Sequence, residues 1–189
     1  MKLRSGELNI SIGYEAVAAL TAVLLLDREN RIFFCVLAAV LHELGHIAVM
    51  KLCRLKVRAV SIRIFDVLIE ADEPQTFMQD IAVTSGGVCM NLLCASVLIP
   101  INRKMALPHL ALGMFNLLPL MSLDGGRLLE LLLSRRCSAR VCRNILRVTT
   151  FVFILPLMTG GFYLLFHSRY NYSLLAISMY LTVLMFIKR

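Results

Sequence analysis

Ala39-Val40-Leu41-His42-Glu43-Leu44-Gly45-His46-Ile47-Ala48 sets a His-Glu-x-x-His pattern inside an apolar run. On a helix, residues four apart are rotated by about 400°, so His42 and His46 project from nearly the same side. Two imidazoles one turn apart can grip one zinc ion. Glu43 sits about 100° round from His42, within reach of a water on such a metal. The flanking residues Cys35, Val36, Leu37, Val40, Leu41, Ile47, Val49 and Met50 leave almost no polar face. The reading is a zinc site sunk in a membrane.

Composition agrees. The 189 residues are 59% hydrophobic and 17% charged, with a mean hydropathy of +0.77. Soluble chains hold about 45–50% apolar residues, so a polytopic membrane protein with short loops is expected. The net charge of +8 fits basic residues bordering membrane spans and gives no reason to expect nucleic acid. Cys35, Cys53, Cys89, Cys94, Cys137 and Cys142 contain no Cys-x-x-Cys pair and read as small buried thiols. No small-residue cleavage site follows the first apolar run, so no signal peptide is expected.

Residues 1–9 are short and mixed, and a first span is expected over 10–26. The polar turn 27–31 leads into a second span over 32–52, which carries the histidine pair. Residues 57–70 alternate Val57, Val60, Ile62 and Ile64 with Arg58, Ser61 and Arg63, which predicts a hairpin or short sheet too polar to span. A third span over 78–100 is expected to be interrupted at Ser85-Gly86-Gly87. The fourth apolar segment, 106–133, breaks in its middle, because Pro119 removes a backbone donor and Gly125-Gly126 weakens a helix. Irregular backbone at membrane depth is tolerated only where protein buries it or water reaches it. A basic connector, Arg135 to Arg147, precedes two more spans over 148–166 and 172–187.

Lysine and arginine placement orients the chain. Lys2, Arg4, the stretch Lys51 to Arg63, the connector and Lys188-Arg189 fall on one face, against Arg28, Arg31, Arg103, Lys104 and Arg169 on the other. The richer face is read as cytoplasmic, with both termini there. His42, His46 and Asp124 then lie towards that face.

A catalytic zinc usually takes three protein ligands and a water. Asp124 is the best third ligand, since an intramembrane carboxylate needs a partner and this one sits at the break. Asp80 and Glu73 belong near the membrane border, Glu130 suits a nearby arginine, His109 falls near the opposite face and His167 lies in a loop. With Glu43 as general base this set suits hydrolysis of a peptide bond. Thr84, Ser85, Asn91, Asn116 and Ser122 can line a water path or bond neighbouring helices. The amide of Asn116 can hold a substrate backbone, and the 57–70 segment can offer an edge to the same strand.

His42-Glu43-Leu44-Gly45-His46 and Asn116-x-x-Pro119-x-x-x-Leu123-Asp124-Gly125 resemble the site-2 protease family of intramembrane zinc metalloproteases. The resemblance implies zinc ligands His42, His46 and Asp124 with Glu43 as the base. Within the family the chain looks like the sporulation branch, typified by the stage IV sporulation protease, which cleaves a pro-sigma factor. The family often has Gly-Pro in the third span where this chain has Gly86-Gly87-Val88, with Asn91 kept at the expected spacing. That branch often adds a nucleotide-sensing domain after the last span, and no ATP control is expected here.

The expectation is therefore an all-α polytopic membrane protein of about six transmembrane helices, with a small β-hairpin or sheet after the zinc-motif helix and a broken helix carrying the third ligand. It forms a single domain over 1–189, with a catalytic core at about 32–134 and no separate soluble domain. The expected activity is zinc-dependent cleavage of a membrane-associated substrate near the cytoplasmic face, a pro-sigma or anti-sigma factor, with membrane inhibitor or regulator proteins as further partners. The expected location is a bacterial cell membrane or a sporulation-related one. The alternative is a membrane metal-binding or transport protein without proteolysis. Transport would favour repeated halves with paired half-helices, and the sequence shows no internal repeat.

Overall fold

The computed structural model describes residues 2–5, 8–25, 27, 30–62, 67–167, 179 and 182. The chain divides into two compact units, Met1–Phe115 and Asn116–Arg189. In the first, four strands form one sheet in the order β1-β2-β3-β4: β1 Lys2–Ser5, β2 Leu8–Ile12, β3 Val57–Ile62 and β4 Val67–Ala71. The outer pairs are antiparallel, and β2 pairs β3 in parallel, Asn9 opposite Ala59 through Ile12 opposite Ile62. Parallel neighbours need a long crossover, and here it consists of two helices, α1 Tyr14–Leu25 and α2 Arg31–Leu52. The sheet is thus larger than the 57–70 hairpin read from the sequence, and residues 10–12 extend β2 instead of opening a span. At twelve residues α1 is about 18 Å long, too short to cross a bilayer alone.

Asp27 caps α2. Both carboxylate oxygens of Asp27 accept from its first turn, from Arg31 N at 3.0 Å and Phe33 N at 2.9 Å. At the far end Leu55 N bonds Met50 O at 2.9 Å and Arg54 N bonds Lys51 O at 3.0 Å. With Arg54 at φ 59° this is a Schellman stop. It turns the chain towards β3 and buries Leu55. At this open end of the β3–β4 hairpin Arg58, the extra residue of a bulge in β3, pairs its Nη2 with Asp72 Oδ1 at 2.6 Å. That guanidinium holds the Asp72 carboxyl below the usual carboxylate range.

Helix α3, Phe77–Leu98, opens on a capping box. Gln79 N donates to Thr76 Oγ1 and Thr76 N to Gln79 Oε1. It runs unbroken through Ser85-Gly86-Gly87, where the sequence suggested an interruption. The glycines serve close approach instead. A Cβ on Gly45 would lie 2.5 Å from Gly86 O, so α2 and α3 meet backbone to backbone. Helix α4, Arg103–Asn116, follows.

In the second unit, residues 117–123 are irregular, followed by α5 Asp124–Ser134 and α6 Ala139–His167. The break falls where Pro119 placed it, while Gly125 and Gly126 lie inside the first turn of α5. There a Cβ on Gly125 would meet Leu117 O and Leu118 O, and one on Gly126 would meet Leu120 O. Two threonines of α6 serve the irregular backbone: Thr149 Oγ1 donates to Pro119 O and Thr150 Oγ1 accepts from Met121 N, both at 3.1 Å. Helix α6 absorbs most of the basic connector, with Arg140, Arg143 and Arg147 exposed on its first turns.

Among the described residues α2, α3 and α6 are long and apolar enough to cross a membrane. Their outward residues Val40, Leu93 and Val152 suit lipid. The expected last span, 172–187, lies outside the described residues apart from Met179 and Thr182. All six cysteines are free thiols, but Cys142 alone is buried and Cys35 and Cys89 are exposed. In a helix surrounded by lipid an apolar run has no single inner face, so burial did not follow from hydropathy.

Candidate metal centre

Helix α2 carries His42, Glu43 and His46. His42 is buried, and Glu43 and His46 are half-buried. The two imidazoles meet as their spacing required, Nε2 to Nε2, at 3.2 Å. Two nitrogens held about 2.0–2.1 Å from one tetrahedral zinc lie about 3.3 Å apart, so the pair fits a shared metal. His46 Nδ1 lies 2.7 Å from Val83 O on α3. A carbonyl only accepts, so that ring carries its proton on Nδ1 and offers Nε2 as a lone pair, the usual support of a metal-ligating histidine.

Gly87 clears the space beside these nitrogens. A Cβ there would lie 2.6 Å from His42 Nε2 and would also touch His46 Nε2. No side chain larger than hydrogen fits without moving the rings. This is the local reason for glycine at a mid-helix position, which propensity alone disfavours.

Behind His42 stands Asn91 of α3, fully buried, its Nδ2 3.1 Å from His42 Nδ1. Its Oδ1 lies 3.0 Å from Nδ1 of His109 on α4, which is also buried. The sequence alone puts His109 near the opposite face and makes Asn91 one of several polar candidates. Their link to the motif depends on three helices, and the only sequence signal is a polar residue one turn after Gly87.

In the second unit Asn116 is the last residue of α4 and Asp124 the first of α5. A carboxylate in a helix's first turn meets the favourable end of its dipole, and the glycine-dependent fold-back of 117–120 fixes that turn. Glu130 pairs with Arg127 at 3.2 Å, as its surroundings suggested.

Residues 95–157 match the sequence profile of Peptidase family M50. That is about a third of the chain. It contains Asn116, Pro119 and the Asp124-Gly125-Gly126 run but not His42 to His46, so the two motifs are independent signals. No curated protein sequence matches the chain significantly. The chain is similar in structure to the Site-2 Protease from Methanocaldococcus jannaschii, with a TM-score of 0.68 and 19% identity over 96% of this chain and 91% of that one. This is a site-2 protease fold. Profile and fold together support a metalloprotease of the site-2 type, embedded in a membrane.

Proposed function

We propose that the chain is an intramembrane zinc metallopeptidase in which His42, His46 and Asp124 hold the metal and Glu43 acts as general acid and base. The observation that carries this is the 3.2 Å approach of the two Nε2 atoms, with His46 held by Val83 O. The donor set of two imidazoles and one carboxylate is the chemistry of a catalytic zinc, which leaves a position for water. When bound, zinc supplies a Lewis acid for the scissile carbonyl and lowers the pKa of water towards about 7.

The residues supply the rest. Glu43 accepts a proton from the attacking water at a carboxylate oxygen and returns it to the leaving amine. Asn116 holds an extended substrate through its amide, accepting from a peptide N–H and donating to a peptide C=O. An extended substrate is needed because helical carbonyls are shielded by their own hydrogen bonds.

We further propose that cleavage occurs just inside the cytoplasmic face and releases a cytosolic product such as a pro-sigma or anti-sigma factor. The support is the basic stretch Lys51 to Arg58, which follows His46 by about one helical turn. The test is zinc content together with cleavage of candidate membrane-associated substrates by purified protein, compared with Glu43→Gln. A wild-type protein that takes up no zinc, or a Glu43→Gln variant that cleaves as well as wild type, rules the proposal out.

A further inference from the structure

The first turns of α2, away from its histidines, line an open-sided groove together with α4. The groove has a volume of about 470 Å³, inside the range of about 300–1,000 Å³ typical of small-molecule sites. Its walls include Phe34 of α2 and Leu107, Pro108 and Ala111 of α4, with the cations Arg31 and Lys104. Arg31 is the first residue of α2 and Lys104 the second of α4. Leu107 and Ala111 follow Lys104 by one and two helical turns, so they continue its face of α4 for about 10 Å. Phe34 continues from Arg31 in the same way on α2. A cationic rim thus leads into an apolar trough about a third as long as the ~30 Å hydrocarbon core is thick.

This combination selects an anionic amphiphile. Both ionic groups of the lining are cations, and Arg and Lys stems lie along apolar surface while their heads reach the interface. Asp27 brings an opposing charge to the rim, but both its oxygens accept from N–H groups of α2. A transmembrane helix is 10–12 Å across and would fill about 800 Å³ or more over the same length, so the trough is too small to enclose one. An extended peptide would find only N–H donors and a thiol among the lining side chains, and no acceptor for its own N–H groups. Nor are these cations the usual border of a span, since Arg31 and Lys104 belong to the face that the sequence leaves poor in basic residues.

We propose that this groove binds one anionic phospholipid of the surrounding bilayer, with its phosphate at Arg31 and Lys104 and the upper part of one acyl chain between α2 and α4. The site is separate from the metal centre. His42 follows Cys35, the remaining lining residue, by seven positions, about 10 Å further along α2.

The test compares dioleoyl phosphatidylglycerol with dioleoyl phosphatidylcholine, which share chains and differ in net charge, added to the full chain in delipidating detergent. Native mass spectrometry should show phosphatidylglycerol retained about 10–30-fold better. Arg31→Gln and Lys104→Gln should each lower that preference about fivefold, the usual worth of a basic residue at an anionic surface. Ala111 is exposed, and Ala111→Phe should fill the trough and displace the lipid with both charges intact. Alkylation by N-ethylmaleimide, read peptide by peptide, locates the bound molecule. Phosphatidylglycerol should protect Cys35 but not Cys89, an exposed thiol of α3 outside the lining. If Ala111→Phe does not fold, the charge variants and Cys35 protection decide. Equal retention of the two lipids, a preference unchanged in both charge variants, or a preference that leaves Cys35 unprotected overturns the proposal. Protection of Cys35 that rises with protein concentration in lipid-free micelles also overturns it, since a second copy then covers the groove.

Discussion

Gly45 of α2 and Gly86 of α3 lie in backbone contact. A Cβ on Gly86 would sit 2.9 Å from Gly45 O and 3.0 Å from Val49 Cγ2, and one on Gly45 would sit 2.5 Å from Gly86 O and 2.7 Å from Met90 Cβ. The neighbour is backbone in both cases, so it cannot swing away, and the helices must part. Gly45→Ala should therefore destabilise the protein by about 1–3 kcal/mol, the usual range for overpacking, and Gly86→Ala by less. Thermal unfolding in detergent reads this. A Gly45→Ala protein as stable as wild type means that the helices cross elsewhere.

Gly87 predicts a different failure. An added methyl would meet both Nε2 atoms rather than backbone, and side chains can rotate where a helix cannot. Gly87→Ala should thus fold nearly normally but bind zinc poorly, about 10-fold or more weaker, because its methyl competes with the metal for the same space. Normal zinc affinity in a folded Gly87→Ala protein places the ligating atoms away from this glycine.

These two positions show where sequence reading succeeds and where it stops. His42 and His46 were legible because helical spacing alone brings them together. The break after Asn116 was legible because Pro119 cannot donate. Ser85-Gly86-Gly87 looked like a second break because glycine has a poor helix propensity, yet close approach to α2 outweighs that cost. Strands β1 and β2 were missed because they are four and five residues long and the apolar residues of β2 run into α1. The strand that joins β2 to the rest of the sheet, β3, lies about fifty positions on. The Asn91–His109 bond was invisible for the same reason, since no local pattern encodes a contact between two helices.

The threonines of α6 should matter unequally. Thr150 is buried and accepts the Met121 N–H, which has no way to replace that acceptor inside an apolar layer. Thr149 shares its proton between Pro119 O and Leu146 O. Thr150→Val keeps shape and loses the acceptor, and should cost about 1 kcal/mol or somewhat more. Thr149→Val should cost less. Equal losses, read by thermal unfolding, contradict this account of the broken segment.

Acid should loosen the sheet's outer hairpin. Asp72 titrates below the ordinary carboxylate value, chiefly through its hydrogen bond from Arg58. A depressed pKa contributes stability that is fully present above the unfolded value and is lost as pH falls through the folded one. Hydrogen exchange in β3 and β4 should therefore quicken only below about pH 4, and Asp72→Asn should remove that dependence. The Arg58 side chain is 74% exposed, so the effect is small and fades in salt. Identical pH profiles for wild type and Asp72→Asn would refute it.

Glu43 and Asp124 should separate catalysis from metal binding. Glu43 neighbours His42 on α2, and the proposed role asks it only to take and return a proton. Glu43→Gln keeps the size and the hydrogen-bonding oxygen but cannot accept that proton. It should hold zinc as wild type does and lose cleavage by about 10²–10⁴-fold or more. Asp124 opens α5, where the proposed role is to donate a carboxylate oxygen to the metal. An amide is a weaker ligand, so Asp124→Asn should lower zinc content first and cleavage as a consequence, and added zinc should partly restore it. His46→Ala should lose metal at least as severely, since it removes a nitrogen ligand and the side-chain bond from α2 to Val83 O. Zinc content and product formation measured on the same samples decide between the roles. A Glu43→Gln protein stripped of zinc makes Glu43 a ligand, and an Asp124→Asn protein with full zinc and no activity moves Asp124 from the metal to the proton transfer.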